Sequence, residues 1–251
     1  MTSTADLVLL VGAGALAGAV GTAGGITSLV SYPALLAVGV PVLPANVTNI
    51  VALVTCGPGS ALASRPELAG KGPWLKRWAP VAVAGAVVGS ALLLATPSGV
   101  FRRVVPFLLV FAAVSLLLQP PLAAWQARHL AGRDRSWWPY GLFFLCAYNG
   151  YFGAGSGVMV LALLLVSVEP HIATANALKN VVLGLATAVS GVMFAVLGNV
   201  YWAAAGALAV GAFVGSMAGP PAARRIPGSA LRALVALTGI GLAIRLWAVP
   251  G

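Results

Sequence analysis

Acidic residues are almost missing from this chain: Asp6, Glu67, Asp134 and Glu169 are its only carboxylate side chains in 251 residues. Charged residues of both signs make up 7% of it, against about 25% in an ordinary soluble domain. With 60% apolar residues and a mean hydropathy of +1.00, there is too little polar surface to cover the apolar bulk, and a water-soluble fold is excluded. Cysteine is scarce as well. Cys56 and Cys146 stand alone inside apolar runs, and His129 and His171 fall in connectors, so no metal-ligand spacing exists and no cofactor is expected. No serine or cysteine lies beside a plausible base, which argues against an enzyme.

The missing acids also bear on energy coupling. No Asp or Glu falls in the middle of an apolar run, so the carboxylate usual for proton or sodium coupling is absent. An anion leaving a cell gains about 2.3 kcal/mol per charge for each 100 mV of inside-negative potential. Export of an anion could therefore proceed without a coupling ion.

What the chain has in quantity is apolar length. Runs fall at about 7–31, 42–63, 78–96, 100–118, 139–167, 172–197, 201–222 and 229–248. Each is near the roughly 20 residues that cross a bilayer as helix. The first should stay as a span, because Met1 to Asp6 lacks the basic region of a secretory signal. The lipid bilayer is thus the main partner. Net charge is +10, but its cations sit in short connectors (Arg65, Lys71, Lys76, Arg77, Arg102, Arg103, Arg128 to Arg135, Arg224, Arg225). That distribution sets topology and excludes a nucleic-acid partner. For eight complete spans, the face carrying both ends holds about eight Lys or Arg against about five opposite, weakly placing both ends in the cytoplasm.

The halves resemble one another. Gly21 and Gly25 correspond to Gly153 and Gly157, Ala45-Asn46 to Ala175-Asn176, Arg102 to Arg232, and Trp78 with Gly85 and Gly89 to Trp202 with Gly211 and Gly215, all in the same order. The expected fold is all-α: a polytopic membrane protein of about eight transmembrane helices in two homologous four-span repeats, each opening on a glycine-broken helix. Residues 1–118 form the first repeat, 119–138 a polar connector, and 139–251 the second. If every unit makes four complete crossings the copies are parallel; if the broken segment re-enters, they are inverted.

Gly18, Gly21, Gly24 and Gly25, then Pro33, interrupt the first run; Gly150, Gly153, Gly155 and Gly157 interrupt the fifth. A broken helix frees N–H groups at membrane depth, tolerated only inside protein or along a wet cavity. Backbone N–H groups and half-helix dipoles there suit an anion. Tight helix packing is the competing account. It covers Gly14 with Gly18, Gly85 with Gly89, and Gly211 with Gly215. A second constellation opens the next spans: Asn46, Thr48 and Asn49, matched by Asn176, Lys179 and Asn180. Carboxamides and hydroxyls donate without carrying charge, and Lys179, about two turns into its run, adds a cation where one is costly. Against this, Lys179 could snorkel or pair with Glu169, and the asparagines could cap helices.

The candidate substrate site is therefore Gly21, Gly24, Gly25, Asn46, Thr48, Asn49, Gly153, Gly155, Ser156, Gly157, Asn176, Lys179 and Asn180. It predicts a transporter of small anions, against the alternatives of a permease for a cation or neutral solute, or a non-transporting membrane scaffold. Self-assembly stays open.

These residues resemble the TauE/SafE group of sulfite exporters and related anion permeases. The resemblance rests on Gly18-Ala-Val-Gly21-Thr-Ala-Gly24-Gly25, Tyr32-Pro33-Ala34-Leu35, Asn46-Val-Thr48-Asn49 and Arg65-Pro-Glu67-Leu68 in the first half. In the second half it rests on Asn149-Gly150-Tyr151-Phe152-Gly153-Ala154-Gly155-Ser156-Gly157-Val158, Asn176-Ala-Leu-Lys179-Asn180 and Val200-Tyr-Trp202. It implies a multi-pass permease of the bacterial inner membrane for sulfite, sulfonates, thiosulfate or similar anions, with the paired Gly-rich and polar segments nearest the substrate.

Overall fold

A computed structural model describes residues 3–129 and 137–223, and every regular element among them is helical. The elements are α1 (Thr4–Gly24), α2 (Thr27–Ala37), α3 (Val42–Leu53), α4 (Cys56–Ala63), α5 (Arg65–Leu68), α6 (Gly72–Ala95), α7 (Ser98–His129), α8 (Trp138–Tyr151), α9 (Ser156–Ser167), α10 (Ile172–Leu197) and α11 (Trp202–Ala223). Among the described residues, six segments are long and apolar enough to span a bilayer, with α3 and α4 together making one of them. The run at 229–248, with Arg232, lies outside the described residues. Helix α7 continues to His129, past the end of its apolar run at 118.

Local chemistry sets the helix limits. Ser3 opens α1 with a reciprocal cap: its Oγ accepts from the Asp6 amide at 3.2 Å, and its own amide donates to Asp6 Oδ2 at 2.7 Å. A polar terminus on an otherwise apolar helix fixes where α1 starts. Thr96-Pro97 stops α6 and Gly198 stops α10. The span formed by α3 and α4 bends at Val54–Thr55, where Pro58 cannot donate to the carbonyl of Val54.

Contacts between helices give their directions. Gly14 faces Leu208 and Ala212, Gly18 faces Ala212 and Ser216, and the Thr22 hydroxyl reaches the Ser216 carbonyl, so α1 and α11 run parallel. Gly85 faces Phe143 and Ala147 while Gly150 faces Ala86 and Ser90, so α6 and α8 are parallel too. The small residues let backbones approach, as their spacing suggested. Along α3, α4 and α10 the order reverses: Val47 meets Gly198, Val54 meets Gly191, and Gly57 meets Gly184. Tyr32, midway along α2, donates from Oη to the Val42 carbonyl at the start of α3. Glu169, just after α9, pairs with Lys71, just before α6.

Those contacts place the starts of α1, α3, α7 and α11 on one face and the starts of α6, α8 and α10 on the other. Helices α1 and α2 therefore leave and return to the first face, and α8 and α9 leave and return to the second. Each pair reads as a re-entrant hairpin, the two inserted from opposite sides, although α1, at 21 residues, is one of the six segments long enough to cross by itself. The outer flanks carry exposed Leu92 on α6, Phe111 on α7, Val196 on α10 and Val214 on α11, an apolar jacket suited to lipid. Inside, Leu10, Leu29, Tyr32, Phe101 and Phe152 belong to one core cluster that brings both hairpins together. Trp74 stacks on Trp138 at 5.8 Å, Trp78 meets the same ring edge-on at 4.4 Å, and Arg77 lies 5.2 Å above Trp78. Such an aromatic and basic girdle marks the second face as a membrane boundary.

Among the described residues the second face carries Arg65, Lys71, Lys76 and Arg77, and the first carries Arg102 and Arg103, so the excess of loop cations predicts a cytoplasmic second face. In a Cys56→Ser, Cys146→Ser background, an impermeant maleimide should label Ser3→Cys and Ser98→Cys from outside, and Lys76→Cys only from the cytoplasm. Eight complete spans would instead put positions 3 and 76 on the same side; labelling of both from one side would reject the re-entrant arrangement.

Candidate functional site

Both interruptions fall where the glycine runs predict. Helix α1 ends at Gly24 and is capped by Gly25, whose φ of 81° is left-handed, and α2 begins at Thr27. Helix α8 ends at Tyr151, and α9 begins at Ser156 after Gly153 and Gly155, with φ of 81° and 77°. The breaks meet backbone to backbone: a Cβ on Gly157 would sit 2.5 Å from Gly25 Cα. No larger residue fits there without moving one hairpin. The first amides of a helix have no acceptor within it. The connectors take up those of Leu29, Ser156, Val158 and Met159. The other first-turn positions, Thr27 and Ser28 of α2 and Gly157 of α9, all line a common cavity.

That cavity has a volume of about 70 Å³. At about 10–15 Å³ per water it holds a handful of waters, or one small oxyanion. Gly21, Thr22 and Gly25 of the first break and Asn149, Gly153, Ser156 and Gly157 of the second form two of its walls. Leu53, Cys56, Gly57 and Ser60 supply a third at the bend between α3 and α4, and Lys179, Asn180, Leu183 and Gly184 of α10 complete it. Gly57 and Gly184 cross there with a Cβ at either position within 3.0 Å of the other's Cα.

Lys179 is the charged member. It is 1% exposed, and its Nζ donates to Asn176 Oδ1 at 2.7 Å. It does not snorkel, nor does it pair with Glu169, which is engaged elsewhere. No carboxylate lines the cavity among the described residues. A buried ammonium facing only neutral dipoles costs several kcal/mol and is relieved by an anion. The first turns of α2 and α9 border the same space, and a helix N-terminus carries about half a positive charge.

The carboxamides divide their work differently from the sequence reading. Asn176 Nδ2 and Asn180 Nδ2 both donate to the Thr22 carbonyl at 3.0 Å, satisfying the end of α1. Asn46 does the same for the other hairpin, donating to the Tyr151 carbonyl at 2.9 Å. Asn49 Oδ1 accepts from Ser31 Oγ at 2.6 Å and its Nδ2 donates to Ser28 Oγ at 3.1 Å, so Asn49 holds a cavity hydroxyl from behind. Thr48 Oγ1 accepts from the Tyr201 amide at 3.0 Å and is not part of the cavity wall. Of the residues singled out in the sequence, Gly21, Gly25, Gly153, Ser156, Gly157, Lys179 and Asn180 line the cavity; Gly24, Asn46, Thr48, Asn49, Gly155 and Asn176 do not.

Thr22, Thr27, Ser28, Asn149 and the bend residues Cys56, Gly57 and Ser60 join the wall without having been foreseen. Asn149 was legible beside the second glycine run; its Oδ1 accepts from Ser156 Oγ at 2.8 Å. Cys56-Gly57-Pro58 carried a signal too, as a helix breaker within an apolar run.

Glu169 closes a small ionic cluster on the second face. It lies 2.6 Å from Lys71 Nζ and 2.8 Å from His171 Nδ1, and its side chain is 10% exposed. The Lys71 and then the His171 hydrogen bonds hold its carboxyl down at about 2. The cluster ties the connector between α9 and α10 to the start of α6.

The chain matches a family model described as the sulfite exporter TauE/SafE over residues 7–246. It is 29% identical over 249 residues to a protein of Sinorhizobium sp. named "Probable membrane transporter protein ORF9", an alignment covering 97% of this chain and 93% of that one. No solved structure matches it.

The depressed carboxyl of Glu169 makes stability depend on acid. The ionised form is favoured in the folded state, so the contribution is complete above the ordinary value of 4.5 and is lost as pH falls towards about 2. The Tm of the detergent-purified protein should therefore drop between about pH 5 and about pH 3. Lys71→Ala, which removes the largest cause, should drop less over the same interval. Equal drops in both proteins would show that the pair carries none of this dependence.

Proposed function

We propose that this chain, which belongs to the TauE/SafE sulfite exporter family, carries a small oxyanion of sulfur across the membrane by binding it in the cavity between its two re-entrant hairpins. That it is a multi-pass membrane transporter follows from the family and the spans. The finer reading rests on one observation: Lys179 is buried at the cavity wall with a neutral acceptor and no counter-charge. A cation would meet an unscreened ammonium there, and a neutral solute would leave the ammonium's cost unrelieved. The oxyanion instead completes a set of donors: the ammonium, the first-turn amides of α2 and α9, and the hydroxyls of Thr27 and Ser28. Sulfur is supplied by the family name. The cavity volume supports an occupant of a few heavy atoms.

The acids among the described residues, Asp6, Glu67 and Glu169, lie at the chain's start or in connectors, not in the cavity wall. An anion moving outward gains about 2.3 kcal/mol per charge for each 100 mV. Proteoliposomes should accordingly move radiolabelled sulfite in response to an imposed potential with no pH gradient. Lys179→Gln should lower this flux about 10- to 100-fold, equivalent to about 1.5–3 kcal/mol for a hydrogen bond from a charged donor. Wild-type flux in Lys179→Gln would refute the site. Flux that needs a pH gradient even under an imposed potential would refute uncoupled export.

A further inference from the structure

We infer that Asn176 is a positioning residue that aims the Lys179 ammonium at the cavity and keeps it off the carbonyl end of α1; the inference rests on the anion-site reading above. Asn176 is buried behind the cavity wall, and both ends of its carboxamide are engaged. Oδ1 accepts from Lys179 Nζ at 2.7 Å, and Nδ2 donates to the Thr22 carbonyl at 3.0 Å. Its orientation is set by chemistry, since only the oxygen can face an ammonium and only the amino group can face a carbonyl.

The tether answers two problems. A lysine side chain is long and rotatable, and its ammonium is a point charge that follows the nearest acceptor. That acceptor would be the end of α1, whose last carbonyls carry the negative pole of the half-helix. By donating to Thr22 together with Asn180, Asn176 helps to fill that carbonyl; by accepting from Nζ, which Asn180 does not do, it anchors the ammonium beside the cavity. One of three ammonium donors is used, and two stay available to an anion. The choice of a carboxamide matters as well. An aspartate would neutralise Lys179 and turn a carboxylate towards the Thr22 carbonyl.

The other half of the molecule contains a natural control. Asn46 makes the corresponding bond to the Tyr151 carbonyl, but three residues further on stands Asn49 in place of a lysine, turned to Ser28 and Ser31. Asn46 Oδ1 has no hydrogen-bond partner. Tying a hairpin tip is thus common to both asparagines. Holding a cation belongs to Asn176.

The test is sulfite flux into proteoliposomes, with KM and kcat separated and folding followed by Tm. Asn176→Ala should raise KM about tenfold with kcat changed less than twofold, and Asn176→Asp should reduce flux to the level of Lys179→Gln. Asn46→Ala should lower Tm yet keep KM within threefold of wild type. Should Asn176→Asp not be recovered folded, Asn176→Ala decides alone: a KM rise of threefold or more supports the assignment, and a smaller one overturns it. An equal KM rise in Asn46→Ala also overturns it, since the tip tie would then suffice. Defective Lys179→Gln with normal Asn176 variants sinks this inference and leaves the anion site standing. Normal Lys179→Gln sinks both.

Discussion

At membrane depth no water satisfies a backbone dipole, so every helix broken there must find partners for the groups it frees. This chain breaks two helices and solves the problem unequally at their two ends. The freed carbonyls of Thr22 and Tyr151 are taken by carboxamides from neighbouring spans, Asn176 and Asn180 for one and Asn46 for the other. The donor ends of α2 and α9 are turned inward on a shared cavity. On the proposed function, capping the negative poles with protein and leaving the positive poles open is what would give an uncharged backbone a preference for anions.

Packing makes that division workable. Gly25 and Gly157 allow the hairpins to touch at their breaks, and Gly57 and Gly184 allow α4 and α10 to cross beside them. Both crossings bound the cavity, so its size follows from how closely glycine backbones approach. The hairpins are themselves held by the opposite half of the chain: α1 lies along α11, and α8 lies along α6. Exchange of this kind means that neither half closes the cavity alone. Stability and site are built from the same contacts.

The ties to the two hairpins are alike in chemistry and differ in charge. Asn46 and Asn176 do one job in both, yet the position three residues on is Asn49 in one half and Lys179 in the other. A symmetric pair of lysines in a space of about 70 Å³ would repel one another with no carboxylate to separate them. One lysine, with a neutral tether, supplies attraction without that penalty. The cationic side chain at the cavity therefore lies on the α10 wall.

Membrane residence, an all-helical fold, two glycine-broken segments and the membership of Lys179 in a polar constellation were all legible in the sequence. Each follows from local properties: hydropathy along a run, glycine's access to left-handed φ, and the cost of a cation among apolar neighbours. Tertiary structure alone decided that the broken segments turn back to the face they left, because hydropathy measures apolar length and is blind to direction. It also decided which polar residues face the cavity. Asn46, Asn49 and Asn176 share residue type with Asn180, and Thr48 is polar like them, yet only Asn180 also lines the cavity; the others satisfy carbonyls, an amide and hydroxyls behind the wall, whose partners become neighbours only when the spans pack.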